Sequence, residues 1–342
     1  MWVKGEIFRD LDAITSIERE GLGREAQPSL FDRIEWFRRT WTHRTPGDRP
    51  LIVRARTAGS DAWLFLTELG AGRAVGLASW YTLAFRPVLT GAREEETTVA
   101  MLTAIARRLK SRLATIALDH VPADAADQLV RGFSRAGWVV RTHEQTAHWT
   151  VDTREQDFAT YWNERPGTLR STAKRKAAKV AIECQVLDRF DEGAWADYEA
   201  VYAASWKPEE GSLDFLREMA IDESAAGALR LGLAHIDGTA VAAQLWTVDH
   251  GRAIIHKLAH REDATEHSPG TILSKAMFEH VIDRDRVDTI DFGTGDDRYK
   301  ADWMTDRAML MRVSMYNPRR IGGLLAMARA RVAALVARHG DR

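Results

Sequence analysis

Residues 252–304 alternate strand, helix and strand patterns around short polar turns, and that order restricts the chain to mixed α/β architectures. Arg252–Ala259 reads as an apolar strand. A loop leads from it into Ser268-Pro269-Gly270-Thr271, which opens an apolar-periodic helix over Thr271–Ile282. Val287–Phe292 is the next strand, and a glycine-rich acidic turn carries the chain to Tyr299, Lys300 and Trp303. A helix start of this kind leaves backbone N–H groups free beside the positive end of the helix dipole, which suits a pyrophosphate. The arrangement points to a transferase that uses a phosphorylated acyl carrier.

The same strand and helix patterns recur along the rest of the chain. In the first half, 28–44 and Glu94–Arg112 read as helices, and Leu51–Ala55, Ala62–Leu69, Ala74–Tyr81 and Thr115–Leu118 as strands. Ala123–Ala136 is a helix closed by Gly137, followed by a strand region over Trp138–Val151. In the second half, Trp162–Lys179, Glu192–Ser205 and Ser212–Met219 read as helices. Ala228–His235 and Ala240–Val248 form a hairpin around Asp237-Gly238, and Leu310–Tyr316 is a last strand. Residues 72–89 match 238–255 in pattern, each running glycine, one residue, Ala-Val, strand. A length of 342 residues accommodates two domains. The expected division is an acetyltransferase-like first domain over 1–152, a second over 153–317 and a C-terminal helix over 318–342. The first copy leads into Glu94-Glu95-Glu96, and three carboxylates at a helix start would repel a pyrophosphate, so that copy is expected to be degenerate.

Bulk chemistry narrows the function. Formal net charge is −1, so global electrostatics do not favour nucleic acid as a partner. A single cysteine, Cys184, leaves no disulfide within the chain and no cysteine-based metal site, and no metal is expected. The N-terminus is charged too early for a secretory signal, and no apolar run reaches membrane-spanning length. The expected location is cytoplasmic, at most peripheral on the inner membrane. Twelve tryptophans fill a core or line a greasy substrate groove.

The order of strand, SPGT helix start, strand and DFGTGDDRYKADWM (291–304), with AAQLWTV at 242–248 and IHKLAH at 255–260, resembles the GNAT acyltransferase superfamily. It is most similar in style to the FemAB-like branch with two such domains in tandem, which includes proteins labelled as cellulose-biosynthesis acetyltransferases. The resemblance covers about residues 28–317, and the basic stretch 165–179 also belongs to it. It implies two mixed α/β acetyltransferase-like domains, each a mixed sheet flanked by helices. It also implies an acyl-CoA or aminoacyl donor and an amine acceptor. The superfamily's usual glycine-rich pyrophosphate loop is absent, and Ser268, Gly270 and Thr271 stand in its place. Within the branch the chain is similar to bacterial ceramide synthases, which would make the acceptor a lipid amine such as a sphingoid base.

Acyl transfer from a thioester to an amine needs the amine deprotonated, the carbonyl oxygen stabilised and the thiolate protonated. No Ser-His-Asp or Cys-His constellation is visible, so direct attack by the amine is the simpler route. His256, Lys257, Asp291 and Tyr299 are the catalytic candidates. His256 and Lys257 are neighbours on a strand, so only one is expected to face the cleft. Lys257 would hold the thioester oxygen or a phosphate, or else pair with Asp291. Asp291 would take the amine's proton or cap the following turn. Tyr299 would protonate the leaving thiolate, a role the resemblance implies. Ser268, Gly270 and Thr271, with Arg170 and Lys174, are candidates to hold the donor's phosphates. Trp206, Lys207, Trp246 and Trp303 are candidates to wall the acceptor pocket.

Two basic segments remain. Arg165, Arg170, Lys174, Arg175, Lys176 and Lys179 form a run with no acid between Glu164 and Glu183. At the C-terminus, Ile321, Leu324, Leu325, Ala328, Val332, Leu335 and Val336 share one helical face beside Arg329 and Arg331. That pattern suits a helix lying on an anionic membrane, or one docked on the protein.

Overall fold

The computed structural model describes residues 3–44, 48–91 and 94–340, with the side chains of 15, 19 and 334–340 outside the described part, Leu335 and Val336 among them. The chain forms two compact units, residues 1–146 with 309–342, and residues 147–308. The elements of the first half are β1 (Lys4–Phe8), α1 (Leu11–Leu22), α2 (Ile34–Thr42), β2 (Arg49–Arg56), β3 (Ser60–Gly70), β4 (Arg73–Gly76), β5 (Val88–Gly91), α3 (Glu95–Lys110), β6 (Thr115–Val121), α4 (Ala123–Arg135) and β7 (Val139–Asp152). The second half has α5 (Phe158–Glu164), α6 (Gly167–Ala177), β8 (Glu183–Leu187), α7 (Glu192–Ala203), α8 (Leu213–Ala225), β9 (Leu229–Ile236), β10 (Thr239–Asp249), β11 (Arg252–His260), α9 (Pro269–Asp283) and β12 (Thr289–Thr294). It closes with β13 (Asp306–Tyr316) and α10 (Ile321–Gly340).

In the first unit the strands lie in the order β1-β2-β3-β4-β6-β13, with β5 on β3. Its core is the doubly covered pair β2 and β3, where Leu51–Val53 and Ala62–Leu66 are essentially inaccessible, packed with Met101, Leu102, Ile105 and Leu109 of α3. Those four α3 positions recur at helical spacing, which is why one face of the helix is apolar. In the second unit the end of β7 pairs with β12, and the order continues β12-β11-β10-β9-β8.

Both joins of the expected division move. The first falls after Thr146 rather than at 152, because His148–Asp152 pair with β12 of the second unit. The last strand belongs to the first unit, because Met311–Tyr316 pair antiparallel with β6. Asn317, fully buried, then gives its side-chain N–H groups to the carbonyls of Lys110 and Leu113 at 2.8 Å each. The expected helix over 162–179 is also two helices. Proline at 166 pushes Arg165 into extended geometry (φ −70, ψ 153) and breaks the run. The predicted strand over Ala74–Tyr81 stops at Gly76.

The tandem repeat is real, but its register is one hairpin later than 72–89 on 238–255. Gly72-Arg73-Ala74-Val75 corresponds to Gly251-Arg252-Ala253-Ile254. Gly72 and Gly251 both follow a left-handed residue (Ala71 φ 50, His250 φ 46) and themselves sit at φ 69 and 72. The Gly72 carbonyl accepts from the N–H groups of Ala114 and Thr115, and the Gly251 carbonyl from those of Asp288 and Thr289. Each glycine thus starts a strand that pairs in parallel with the strand after the next helix, β4 with β6 and β11 with β12. The copies differ where an anion would sit. Helix α3 opens with Glu95 and Glu96, held by Arg131 and Arg135, whereas the first turn of α9 carries no acid.

Candidate functional site

Parallel pairing between β11 and β12 lasts three residues, Arg252–Ile254 against Thr289–Asp291. Beyond it no pairing joins the two strands, and a wedge opens between His256–His260 on one lip and Phe292–Thr294 on the other. The first lip is bulged. Leu245 pairs with Lys257 and Trp246 with Ile255, leaving His256 as the extra residue.

The faces of this sheet follow from side-chain contacts. Gln244 bonds Ser274 of α9 at 2.7 Å, and Trp246 packs edge-on against Phe278 of α9. Gly232 of β9 also faces α9, so His235, three residues on, faces away and meets Asp197 of α7 at 3.4 Å. Thr247 lies on that α7 side and contacts His256 Nε2 at 2.8 Å. Lys257 lies there too, bonded to Glu210 at 3.0 Å with its ammonium 5.9 Å from the Tyr202 ring of α7. The expectation that His256 and Lys257 must face opposite ways therefore fails, because the bulge interrupts the alternation. Lys257 pairs with Glu210 and not with Asp291.

Asp291 pairs in register with Ile254 on the same face and is 2% exposed. Its carboxylate meets His148 Nε2 at 2.7 Å, the N–H of Gly293 at 2.8 Å and Arg252 at 3.3 Å. Burial alone would raise this carboxyl. The His148 ring, Arg252 and the Gly293 N–H outweigh it and hold it below the usual carboxylate range. His148 was not found from the sequence: it is 143 residues from Asp291, and only the pairing of β7 with β12 joins them.

Cations gather at the wedge. The Lys207 ammonium is held below its usual range first by burial, then by the like charges of Lys257 and Lys300, against the pull of Asp297 and Glu210. Lys300 is 5% exposed, binds the Thr294 carbonyl and lies 5.3 Å from the Phe292 ring. Tyr299 packs edge-on against Phe292, and burial, with Asp297 adding, pushes its phenol up to about 12. His260, at the end of the β11 lip, carries the Trp206 ring 4.2 Å away, and burial followed by Lys207 lowers its imidazole. Of these, His260 and Lys300 stand in the sequence motifs without a role.

The α9 start adjoins this lip. Ser268 is left-handed (φ 51), Pro269 fills the first helical position, and a side chain at Gly270 would stand 3.2 Å from His260 Nδ1. The N–H groups of Thr271 and Ile272 already reach back to the Ser268 carbonyl at 3.1 and 3.3 Å. The remaining candidates separate. Trp206, 52% exposed, and Lys207 are at the wedge. Trp246 and Trp303 are core residues rather than pocket walls: Trp246 is inaccessible, and Trp303 packs on Phe278 while its carbonyl accepts from Tyr161 and Arg165. That use buries Arg165 and removes it from the basic surface. Arg170 and Lys174 lie on the flank of α9, lining a cavity with Ile272 and Lys275. Among the described residues no histidine, cysteine and carboxylate group is arranged to hold a metal.

Residues 166–301 match the family of acetyltransferase (GNAT) domains. The fold has the tandem form of that class. It is similar to FemX, at 12% identity and a TM-score of 0.60 over 93% of this chain and 98% of that one. It is also similar to a tandem GNAT protein from the clavulanic acid biosynthesis pathway, at 12% identity and a TM-score of 0.52 over 92% and 98%. A third is the C-terminal domain of a putative lysylphosphatidylglycerol synthetase from Agrobacterium fabrum, at 13% identity and a TM-score of 0.50 over 78% and 84%. No curated protein matches the sequence significantly.

Proposed function

We propose that this protein is an N-acyltransferase that moves an acyl group from acyl-CoA to an amine, with a lipid amine such as a sphingoid base as acceptor. The observation that carries the reading is the acid-free start of α9 set beside His260 and Trp206, at the end of the strand that also carries Lys257. Phosphates of the donor lie against the Gly270 N–H and the α9 dipole, and the thioester enters the wedge. His148 accepts the proton of the acceptor's ammonium, and Asp291, too buried to reach the amine, orients that ring and stabilises its charged form. The amine nitrogen then bonds the carbonyl carbon, Lys257 and Lys207 stabilise the oxyanion, and the carbon–sulfur bond breaks. Tyr299, kept protonated by its raised pKa, gives its proton to the thiolate and takes back the proton left in excess on the new amide nitrogen. Incubation with panels of acyl-CoAs and amines, read by mass spectrometry, tests the reading; no amide product with any pair overturns it.

The donor site has its own test. Gly270→Val drives a side chain into His260 and its tilted ring contact with Trp206. Acyl-CoA affinity in calorimetry is expected to fall by tenfold or more, on the order of 1.4 kcal/mol. Unchanged affinity removes this helix start from the donor site.

A second reading is aminoacyl transfer, which the likeness to FemX and to a lysylphosphatidylglycerol synthetase favours. It predicts product only with charged tRNA, and the near-neutral charge of the chain speaks against it.

A lipid acceptor brings in α10. Ile321, Leu324, Leu325 and Val332 are 78%, 45%, 55% and 60% exposed, beside Arg329 and Arg331. We infer that this face rests on an anionic membrane, each arginine adding about 1 kcal/mol near the surface. Among the described residues no helix is long and apolar enough to cross a membrane. Flotation with anionic liposomes should weaken with salt and be lost in Leu324→Glu/Leu325→Glu. Equal flotation of that variant removes the helix from the mechanism.

A further inference from the structure

Away from the wedge, α6, α9 and β8 enclose a cavity of ~410 Å³, inside the roughly 300–1,000 Å³ range of small-molecule sites. Its apolar lining is Ala173, Ala177, Ile272 and Ala276 with Trp162, and Cys184 of β8 lines it too. Arg170, Lys174 and Lys275 stand around it, against one acid, Glu279. Lys275 lies 5.6 Å from the Phe158 ring and 5.8 Å from that of Trp162, which holds its ammonium at the rim. Arg170 gives its Nε–H to the Arg165 carbonyl at 3.1 Å, which fixes its guanidinium. Among the described residues none of the three cations is in an ion pair.

A small apolar lining beside three cations without carboxylate partners has a definite chemical preference. A neutral chain would leave the cations unanswered, and a small inorganic anion would leave the lining wet. We propose that this cavity is a second ligand site, which takes a single-chain anionic amphiphile, its alkyl chain against the alanine lining and its acidic head between Arg170, Lys174 and Lys275. A carboxylate and a phosphate monoester share that chemistry. The site is independent of the acyl-transfer reading, since it uses none of the residues of the wedge.

The single thiol of the chain reports on it. Cys184 is exposed, so reagent reaches it, while the protein packed around its sulfur pushes the thiol up to about 11 with Lys275 pulling the other way, and labelling is best followed near pH 9. With the full chain, N-ethylmaleimide labelling of Cys184 is measured by intact mass in the presence of decanoate, decyl phosphate, decanol, inorganic phosphate or decyltrimethylammonium. Decanoate or decyl phosphate is expected to slow labelling at least fivefold, and the two arms rank carboxylate against phosphate. Decanol, inorganic phosphate and the cationic amphiphile are expected to protect less than twofold. Lys174→Glu/Lys275→Glu should abolish protection, and Ala276→Phe, which fills the cavity without touching a charge, should do the same. Protection by decanol or the cation equal to that by decanoate overturns the proposal, as does protection that survives both variants or no protection by either anion.

Discussion

His148→Ala is expected to lower turnover by about a hundredfold or more, the scale on which loss of a general base is felt. Asp291→Asn should follow it with a comparable loss, because the amide keeps the shape but not the charge that steadies the protonated ring. The pair is tested on whichever acyl-CoA and amine give product. The split between kcat and KM separates a chemical role from a structural one. Loss of His148 should lower kcat with little change in KM, while the fold persists. If both variants stay within a few-fold of the parent, the proton acceptor lies elsewhere. The stability linked to Asp291 has a defined sign. Its carboxyl is held below the ordinary value of about 3.9, so its contribution is complete above that value and lost only as pH falls through the lower, folded one.

Arg54→Met should destabilise the first unit by about 3–5 kcal/mol, the cost of breaking a buried ion pair. Arg54 is 2% exposed, donates to Asp61 at 3.0 Å and also binds Glu18, while its guanidinium lies 4.8 Å from the Trp63 ring. Without it, Glu18 and Asp61 face each other with the exposed Arg56 as their main remaining counter-charge. Burial already raises both carboxyls, and for Glu18 the neighbouring Asp61 raises it further. Raised acids favour the folded state when protonated, so the deficit should be greatest near neutral pH and shrink as pH falls into the carboxylate range. Denaturant unfolding at pH 7.5 and 5 measures both. A loss below 1 kcal/mol at pH 7.5, or one that grows at pH 5, would contradict this account.

Local chemistry made much of the second unit legible. Asp237-Gly238 does form the tight hairpin turn, with φ of 48 and 75, and the Ser-Pro-Gly-Thr segment does open a helix, two residues before the expected start. Sequence spacing could not give what depends on pairing between distant strands. Strict alternation divided His256 from Lys257, and a bulge visible only in the β10–β11 register puts both on one side. Asp291 looked like an acid awaiting a substrate because its partner His148 lies on a strand from the other half of the chain. Trp246 and Trp303 have the composition of a greasy wall. Whether an indole lines a groove or fills a core depends on which helix covers the strand, here α9. The repeat was visible, but Gly-Thr-Ala-Val and Gly-Arg-Ala-Ile are near-equivalent strings, and only the paired carbonyl of Gly251 tells which one copies Gly72.

The placement of β13 sets an order of events during synthesis. β6 is made early, yet the strand that pairs with it ends at Tyr316, and Asn317 follows to seal the carbonyls of Lys110 and Leu113. Until the ribosome has delivered residues through Tyr316, β6 presents an open edge, the kind of edge that recruits strands from other chains. A nascent chain halted after residue 150 should therefore depend on chaperones and be sensitive to protease. Completion of the first unit is thus coupled to synthesis of residues that lie beyond the second.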